Sequence, residues 1–486
     1  MSLWTSKNIL APMVRCGTLP LRLLALRYGA DTVYSEEIVD KRLVKCRRVE
    51  NSRLGTIDFV IGQGGNTQLV FRTQRSQEQG KCVFQIGTAT PDLAVQAARV
   101  VAGDVDGLDV NMGCPKHFSV HSGMGVALTR DSERACSIIR ALRASLDIPV
   151  SCKIRLLDTV DETIKLVRAL EAAGAQAIGV HARTANERPK DPVHWDQLKQ
   201  IVDAVSVPII VNGNVWGPSE AVEVRQLSGC SSVMSARGAL KNLRVCFERD
   251  INVAQKETAS AESSRASLMR VVQDYVKVCI DYDNHGKNTK YVVQYMLKMN
   301  SMLGGEFGKS VSSGQCKTLE DIATVCGLQE YYATVQQNRP SAADERKSNR
   351  GDGSDGGNGK NCTLKPSRVY EDDFFYARPS KRIKIARNPD QTLPPDFRQL
   401  LLTWGESQNK FPRRQQVPQY QHIGRVKAYT VGIPGVAETS NQEAYRAAVL
   451  IGGKRFVGGW GTSKTVAVAR AAHVALLELG VDIPNP

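Results

Sequence analysis

A thiol in a glycine–proline turn is the first group in this chain that could do chemistry. Cys114 stands between Gly113 and Pro115, just after the apolar run GLDVN at residues 107–111. Such a run predicts a buried parallel strand, and barrel folds place reacting groups at the ends of their strands. Cys114 is therefore a candidate reacting residue. The alternative is a small apolar side chain in a tight loop, as most free cysteines are.

Residues typical of binding sites also stand near the ends of other apolar runs. They are Pro12, Met13, Gln85, Asn111, Lys153, Arg155, His181, Arg183, Asn212, Gly213, Asn214, Ala236 and Arg237. Any one of them could be a satisfied buried group, but at successive strand ends of a barrel they would form one site. The glycine-bearing ends of the last two runs suit a phosphate, and Arg237 could add a charge-assisted hydrogen bond.

Three of these side chains have chemical roles that follow from their type. Cys114, as an ordinary thiol with a pKa of about 8.5, is protonated at neutral pH and can act as an acid. Lys153 could offer a positive charge to an anion in the site, with a structural ion pair as the alternative. His181 could orient a ligand, with a packed core histidine as the alternative.

Eight short apolar runs alternate with helical patterns over roughly the first half of the chain. They include NILAPM, TVYSEEI, CVFQIG, GLDVN, VSCKIR, AIGVHAR, PIIVNGNV and SSVMSARGAL. Helices are predicted at LPLRLLALRYG, after Thr90 with Pro91 as first helical residue, and at 160–173 before Gly174. This order predicts an α/β fold, a (β/α)8 barrel over residues 1–243. A doubly wound open sheet is the alternative, but no Gly-x-Gly-x-x-Gly opens the first helix.

Composition limits the class of protein. The 486 residues allow two or three domains, and a formal charge of +15 favours a polyanionic partner over a merely solvated basic surface. The 12 cysteines contain no Cys-x-x-Cys pair, which predicts neither disulfides nor a metal site. No secretory signal or membrane-spanning run is present, so we expect a soluble cytoplasmic protein, with a nuclear fraction allowed.

The second half of the chain divides into a helical region, a linker and a further domain. Residues 244–337 have helical periodicity, and Lys287, Lys290 and Lys298 are candidate phosphate contacts or parts of a solvated face. Residues 338–390 form a polar linker. Its basic cluster, at 379–389, is either a nuclear address or an RNA-contacting arm formed by Lys381, Arg382 and Lys384.

Residues 391–486 have the order helix, three strands, helix. The first helix covers 397–407, the strands lie near VPQYQHI, AYRAAVLI and KRFVGGW, and the last helix starts at Lys464. This α+β order resembles a double-stranded RNA-binding domain, and Lys464 matches its phosphate-contacting position. Duplex or structured RNA is the partner that this resemblance implies.

The segments APMV, NMGCPK, CKIR, HARTANERP, VNGNV and SARGAL, in this order, resemble the tRNA-dihydrouridine synthases, flavin enzymes built on a barrel. The resemblance covers about the first 240 residues. It implies FMN held by Pro12, Met13, Gln85, Asn111, Lys153, His181, Asn212, Gly213, Asn214, Ala236 and Arg237. It also implies Cys114 as proton donor to uracil, and tRNA contacts by the helical region. Arg183 is expected to assist His181 at the substrate.

A synthase barrel followed by a double-stranded RNA-binding domain resembles the eukaryotic type that acts on uridine 20 of the tRNA D-loop. The expected activity is reduction of that uridine to 5,6-dihydrouridine by a monomer, with NADPH or NADH as reductant. Two alternatives remain: a flavin-dependent barrel oxidoreductase acting on a small molecule, and a catalytically inactive RNA-binding protein. The basic charge disfavours the first, and Cys114 with Lys153 disfavours the second.

Overall fold

The computed structural model describes residues 2–63, 67–300 and 305–339, together with the backbone of three strands between residues 419 and 457. The chain divides into two compact units, Met1–Asp373 and Phe374–Pro486. The described strands of the first unit are β1 Asn8–Leu10, β2 Thr32–Tyr34, β3 Ile38–Val39, β4 Arg47–Asn51, β5 Thr56–Ile61, β6 Gln68–Thr73, β7 Cys82–Gly87, β8 Gly107–Asn111, β9 Val150–Leu156, β10 Ile178–Thr184, β11 Ile209–Asn212 and β12 Ser232–Ser235.

Eight of these strands close into a parallel barrel. Their order is β2-β1-β12-β11-β10-β9-β8-β7, and pairing of β2 with β7 completes the ring, while β3 adds a short pairing to β7. Every residue of β7, β8, β11 and β12 is buried, as expected for strands covered on one side by helices and on the other by the barrel interior. The eight predicted strands and the barrel they imply are confirmed.

A small antiparallel sheet, β4-β5-β6, lies between the second and third barrel strands and was not predicted from the sequence. It is tied to the barrel through polar contacts as well as apolar ones. Arg22 and Glu78, both almost fully buried, form an ion pair with Nε and Oε1 2.7 Å apart. The guanidinium of Arg22 also lies over the ring of Phe71, 5.0 Å from its centroid. This sheet therefore forms part of the barrel rim near β2.

The helices surround the barrel and continue beyond it. They are α1 Leu19–Arg27, α2 Asp40–Leu43, α3 Arg75–Glu78, α4 Pro91–Val101, α5 His117–His121, α6 Val126–Thr129, α7 Ser132–Ser145, α8 Val160–Ala172, α9 Leu198–Asp203, α10 Pro218–Ser228, α11 Arg237–Lys241, α12 Leu243–Phe247, α13 Ile251–Thr258, α14 Ala261–Asp281, α15 Gly286–Met299, α16 Glu306–Ser312, α17 Leu319–Val325 and α18 Gln329–Asn338.

Local sequence signals explain where several of these helices begin. α8 starts with a capping box, in which the Thr159 side chain and the Glu162 side chain each accept the other's backbone N–H. α4 starts at Pro91 as predicted, but the side chain of Thr90 makes no capping hydrogen bond. Thr90 thus marks the boundary by its extended backbone, and proline supplies the first helical residue.

The helices after the barrel pack on it through a shared apolar core. Buried side chains of α1, α14, α15 and α17 belong to one cluster that includes Leu24, Val272, Met296 and Ile322. α14 and α15 lie within residues 244–337 and agree with the helical periodicity of that region. The cluster crosses the predicted boundary at residue 243, and that boundary stays a prediction.

In the second unit, three strands form an antiparallel sheet in the order β13-β14-β15. They are β13 Gln419–Lys427, β14 Glu443–Ile451 and β15 Lys454–Val457, at the three predicted positions. The predicted helices at 397–407 and from Lys464, the linker and the basic cluster lie outside the described residues. Over the described residues, no helix combines the length and apolar character needed to cross a membrane.

Candidate active site

All eight barrel strands run in the same direction, so their carboxyl ends meet at one rim. The predicted residues near these ends are therefore brought together. Pro12 and Met13 follow β1 in a turn in which the Met13 carbonyl accepts hydrogen bonds from the N–H groups of Cys16 and Gly17, at 3.0 and 2.7 Å. Both predicted cofactor contacts are half-buried on this rim.

The loop that carries Cys114 is held by hydrogen bonds to its backbone. Asn111 Oδ1 accepts from the N–H of Gly113 at 3.0 Å and of Cys114 at 3.1 Å. The Cys114 carbonyl accepts from Val126 N at 3.1 Å. Gly125 has a φ of 61°, and a side chain there would place Cβ 2.4 Å from the Cys114 carbonyl oxygen. The thiol is thus half-buried on a fixed turn at the end of β8.

Asn111 has a second contact on its other side. Its amide is hydrogen-bonded to Glu37, and since Oδ1 already accepts from the turn, Nδ2 is the group that donates. Burial raises the pKa of the Glu37 carboxyl to about 7. Glu37 Oε1 is buried and has no hydrogen-bond partner among the described residues. An orphaned buried acceptor of this kind fits a site that takes a ligand with an N–H or O–H group.

A buried carboxylate, that of Asp109, lies on β8 two residues before Asn111. Asp109 is 1% exposed, and its two oxygens accept from Gln85 Nε2 and Ser151 Oγ, both at 2.7 Å. Burial raises the pKa of the Asp109 carboxyl to about 6. Because Nε2 is used, Gln85 has its Oε1 left as the acceptor for a ligand. Sequence reasoning missed Asp109, although an acidic residue inside a fully buried strand was the available signal.

Lys153 lies on β9 next to this carboxylate. Burial, together with the nearby charge of Arg155, lowers the pKa of its ammonium to about 8, although Asp109 acts in the opposite direction. Lys153 therefore stays mostly protonated at neutral pH. Its carbonyl accepts from Met112 N at 2.8 Å, which ties the strand to the cysteine loop.

His181 on β10 is neutral and has a defined orientation. Burial, together with the charges of Lys153, Arg155, Arg183 and Arg237, lowers its pKa to about 2. Arg183 Nη1 lies 3.3 Å from His181 Nε2, and since a guanidinium only donates, Nε2 must be the acceptor. The proton is then on Nδ1, which can donate to a carbonyl group of a ligand.

Arg183 was predicted to assist His181 at the RNA substrate, and that role stays a prediction. Its side chain is 1% exposed. Two of its guanidinium nitrogens donate to the Asp191 carbonyl at 2.9 and 2.7 Å, and Nη2 also donates to Asn214 Oδ1 at 3.0 Å. These donors are used inside the protein, so Arg183 orients His181 and Asn214 and is not available at the surface.

A small cavity of about 70 Å3 lies at the ends of β10, β11 and β12. Its lining includes the residues predicted to hold a phosphate, at the ends of the last two barrel strands: Asn212, Gly213, Asn214, Ala236 and Arg237. His181, Arg183, Pro189, Val215, Trp216 and Gly238 complete the lining. Asn214 Oδ1 accepts from both Arg183 and Arg237, the latter at 2.9 Å. Gly213 has a φ of 129°, and a Cβ there would be 3.1 Å from Val193 Cγ1. Asn212 instead turns inward and donates to the Met234 carbonyl at 2.8 Å.

Trp216 was missed from the sequence and supports this cavity. The guanidinium of Arg237 lies 5.0 Å from the centroid of its ring, and Lys241 Nζ lies 5.8 Å from it. Stacking on an indole ring restricts the arginine to few rotamers. The only signal in the sequence was a tryptophan directly after VNGNV.

The three predicted lysines of α15 differ in their surroundings. Lys287 and Lys298 are exposed. Lys290 donates to the carbonyl oxygens of Ser313 and Cys316, both at 2.7 Å. The Lys290 ammonium thus stabilises the loop before α17 with two of its three donors, and its predicted phosphate contact stays a prediction. Lys381, Arg382, Lys384 and Lys464 lie outside the described residues.

A larger cavity of about 700 Å3 opens between α1, the β4–β6 sheet and the helices after the barrel. Its charged groups are largely paired with one another, as in the ion pairs Arg53–Asp283 at 2.8 Å and Arg72–Asp58 at 2.6 Å. Cys114 is not among the residues that line it.

Comparison with known proteins gives one consistent result. Residues 9–320 match the family described as dihydrouridine synthase. The chain is 37% identical over 355 residues to a tRNA-dihydrouridine(20) synthase, NAD(P)+, of Schizosaccharomyces pombe, which covers 71% of this chain and 69% of that protein. It is 37% identical over 335 residues to a protein of the same name from Saccharomyces cerevisiae, covering 67% of this chain and 84% of that protein. A human tRNA-dihydrouridine(20a/20b) synthase-like protein is 34% identical over 240 residues, 48% of this chain and 69% of that protein.

Proposed function

Because this chain belongs to the dihydrouridine synthase family, we propose that it reduces the uridine at position 20 of the tRNA D-loop with NADPH. It is a tRNA-dihydrouridine synthase, an oxidoreductase that uses NAD(P)H. Position 20 is supported by the names of the two yeast relatives, which both cover about two thirds or more of this chain. The structural observation that carries the proposal is Cys114, fixed by Asn111 at the rim of the barrel.

The residues of the rim fit FMN as the resident cofactor. Arg237, the N–H-rich ends of β11 and β12 and a cavity of about 70 Å3 suit its phosphate. Lys153, with an ammonium that remains protonated at neutral pH, suits the edge of the isoalloxazine ring where negative charge develops. Gln85 Oε1 suits an imide N–H group. When bound, FMN would supply the hydride that the C6 atom of uracil receives.

Cys114 is the proton donor in the proposed reaction. Saturating the C5=C6 bond of uracil requires one hydride at C6 and one proton at C5, so that uridine and NADPH give 5,6-dihydrouridine and NADP+. The backbone of Cys114 is held at both its N–H and its carbonyl, and these hydrogen bonds fix the position of the Cα atom that carries the thiol side chain. A positioned acid contributes about 10²- to 10⁴-fold to the rate of such a step.

In this proposal His181 orients the substrate and Lys153 supplies the positive charge of the site. His181 is neutral with its proton on Nδ1, so it can donate to a uracil carbonyl without adding a charge to the site. Lys153 supplies the positive charge instead. Asn111 Nδ2 donates to Glu37, so the side-chain amide of Asn111 lies between the cysteine loop and the proposed ligand.

The tRNA contacts are proposed for the helical region and the C-terminal domain. Lys287 and Lys298 are exposed on α15, and Lys381, Arg382, Lys384 and Lys464 remain candidates from the sequence. The order of β13-β14-β15 supports a double-stranded RNA-binding domain at residues 391–486. Removing these residues should weaken tRNA binding and flatten its dependence on salt, while reduction by NADPH continues unchanged. An unchanged salt slope would contradict the assignment.

We also propose that the protein acts as a cytoplasmic monomer and prefers NADPH to NADH. Size-exclusion chromatography with light scattering tests the first point, and cell fractionation tests the location. Comparison of kcat/KM for the two nucleotides tests the preference.

The deciding experiment is mass spectrometry of tRNA after incubation with the protein and NADPH. We expect a mass gain of two hydrogens in the fragment that contains uridine 20, and FMN in the purified protein. No gain in any uridine, with NADPH still oxidised, would favour a small-molecule oxidoreductase. No gain and no oxidation, with tRNA bound, would favour an inactive RNA-binding protein.

A further inference from the structure

Two lysines and two tyrosines form one stripe along α15. Lys287, Tyr291, Tyr295 and Lys298 are separated by four, four and three residues, which places them within an arc of about 80° on a helix. The lysines at the two ends are exposed and the tyrosines between them are half-buried. We call these four residues the α15 stripe. Its length is about 16 Å, from the helical rise per residue.

The aromatic part of the α15 stripe is ordered by its neighbours. The rings of Tyr291 and Tyr295 have centroids 6.2 Å apart at an angle of 48°. The guanidinium of Arg15 lies 5.3 Å from the centroid of the Tyr291 ring. Tyr295 is close enough to Arg237 to affect its pKa. Two aromatic rings thus stand between two arginines, one in the loop after β1 and the other at the phosphate cavity.

Both ends of α15 are fixed to the rim of the barrel. Near its start, Asn288 Nδ2 donates to the Arg15 carbonyl at 2.7 Å. Just after its end, Asn300 Nδ2 donates to the Lys241 carbonyl at 2.7 Å. Arg15 itself has a φ of 69°, an uncommon backbone conformation for a residue with a side chain. The α15 stripe therefore has a fixed position beside the site that holds Met13 and Arg237.

We propose that the α15 stripe binds the single-stranded RNA next to the target uridine, with Tyr291 and Tyr295 stacking on bases and Lys287 and Lys298 contacting phosphates. This inference rests on the proposed function. Unpaired loop bases are the part of an RNA that aromatic side chains can stack on, and cations along the same face follow the backbone. A lysine–tyrosine–tyrosine–lysine order on one helix face supplies both kinds of contact. A solvated helix face would not explain two adjacent half-buried tyrosine rings, one of them under the guanidinium of Arg15.

The first test replaces both tyrosines in the full-length protein. Tyr291→Leu with Tyr295→Leu keeps apolar volume but removes the rings, and we expect tRNA affinity to fall roughly 10- to 100-fold. The matched double phenylalanine variant keeps the rings and should bind tRNA as the wild type does. FMN affinity, measured by quenching of flavin fluorescence, should be unchanged in both. Tyr332→Leu on α18 serves as a control and should change neither affinity.

The second test identifies the stacked base. A tRNA with an abasic nucleotide on one side of the target uridine should bind the wild type more weakly, and the loss should disappear in the leucine variant. A cycle of this kind measures the contact itself and is insensitive to a general weakening of the fold. Lys287→Ala and Lys298→Ala should each reduce the slope of log affinity against log salt by about one, whereas Lys199→Ala on α9 should leave it unchanged.

The outcomes separate this inference from the proposed function. If the leucine variant binds tRNA like the wild type and still forms dihydrouridine, the α15 stripe is not an RNA surface and the proposed function stands. If the variant loses FMN but keeps tRNA affinity, the tyrosines contact the cofactor, which also overturns the inference. If the wild type forms no dihydrouridine in any tRNA, the proposed function itself is wrong.

Discussion

The two halves of the barrel rim have opposite electrostatic character. On β8 and in the loops beside it, Asp109 and Glu37 are carboxyls whose pKa values burial raises to about 6 and about 7. On β10 and after β12, Arg183 and Arg237 are cationic side chains beside the neutral His181. Burial lowers the pKa of both guanidinium groups, and the charge of Arg237 lowers that of Arg183 as well. We call these the proton side and the cation side. Both halves disfavour charge, but the carboxyls of the first can take up a proton near neutral pH, whereas the guanidinium groups of the second stay charged and would be neutralised by an anion.

This difference suggests a division of labour within one rim. On the proton side, hydrogen bonds from the backbone to Asn111 hold the turn that carries Cys114, the proposed proton donor. On the cation side, Asn214 links two arginines that repel each other, an arrangement that a phosphate would stabilise. Substitutions on the two sides should therefore affect different measurements.

The largest effect is expected for Cys114→Ala. Transfer of electrons from prereduced protein to tRNA should slow by about 10²- to 10⁴-fold, because the positioned acid is lost. Reduction by NADPH and the FMN content should be unchanged, since neither requires a proton at uracil C5. Stopped-flow mixing of prereduced protein with unmodified tRNA measures the step, and Cys114→Ser should be as slow or intermediate. A wild-type rate would point to His117 or a water molecule as the acid.

Asp109→Asn is expected to alter stability in a pH-dependent way. A carboxyl whose folded pKa is raised from 3.8 to about 6 stabilises the fold below pH 4 and loses that contribution as the pH rises through 6. At pH 7 ionisation of Asp109 should lower the free energy of unfolding of the wild type by up to about 3 kcal/mol, a cost that the asparagine variant lacks. Denaturant unfolding at pH 7.5 and pH 4.5 measures this difference, which should shrink at the lower pH. If the free energies of unfolding of the wild type and the variant differed by the same amount at both pH values, ionisation of the carboxyl would not destabilise the fold.

Arg237→Ala should act on the cation side alone. Loss of a charge-assisted contact to a phosphate should weaken FMN binding roughly 10- to 100-fold. With FMN added to saturation, proton transfer at Cys114 should continue at the wild-type rate. Titration of the apoprotein with FMN measures the affinity, and Lys199→Ala is a control for the lost charge. A slower proton step at saturating FMN would mean that the two sides are not independent.

Trp216→Leu should give the smallest effect. The ring restrains Arg237 by stacking, and loss of such a contact should lower FMN affinity roughly 2- to 10-fold. Combining it with Arg237→Ala should add little, because the ring would then have no arginine to restrain. FMN titrations of the two single variants and the double variant measure the coupling. Additive losses would mean that Trp216 contributes in another way.

Much of the fold could be predicted because its signals are local. Eight apolar runs, helix signals such as Pro91 and Gly174, and a glycine–cysteine–proline turn are visible in the sequence, and the structure confirms the barrel that they predict. The β4–β6 sheet was missed because its outer strands are only half-buried, so neither the alternation nor the apolar content stands out. The site residues were predicted from strand ends, a rule about direction that needs no knowledge of contacts.

The sequence by itself determined which residues reach the rim, since in a parallel barrel every strand that ends in a polar group brings it to the same edge. Only the tertiary structure decided what each group does there. Arg183 and Lys290 are residue types that often contact RNA, but here Arg183 donates to the Asp191 carbonyl and Lys290 to the Ser313 carbonyl. Asp109 gained its role from Gln85 and Ser151 on neighbouring strands. Hydrogen-bond partners of buried polar groups depend on packing between segments far apart in the chain, and no local pattern encodes that packing.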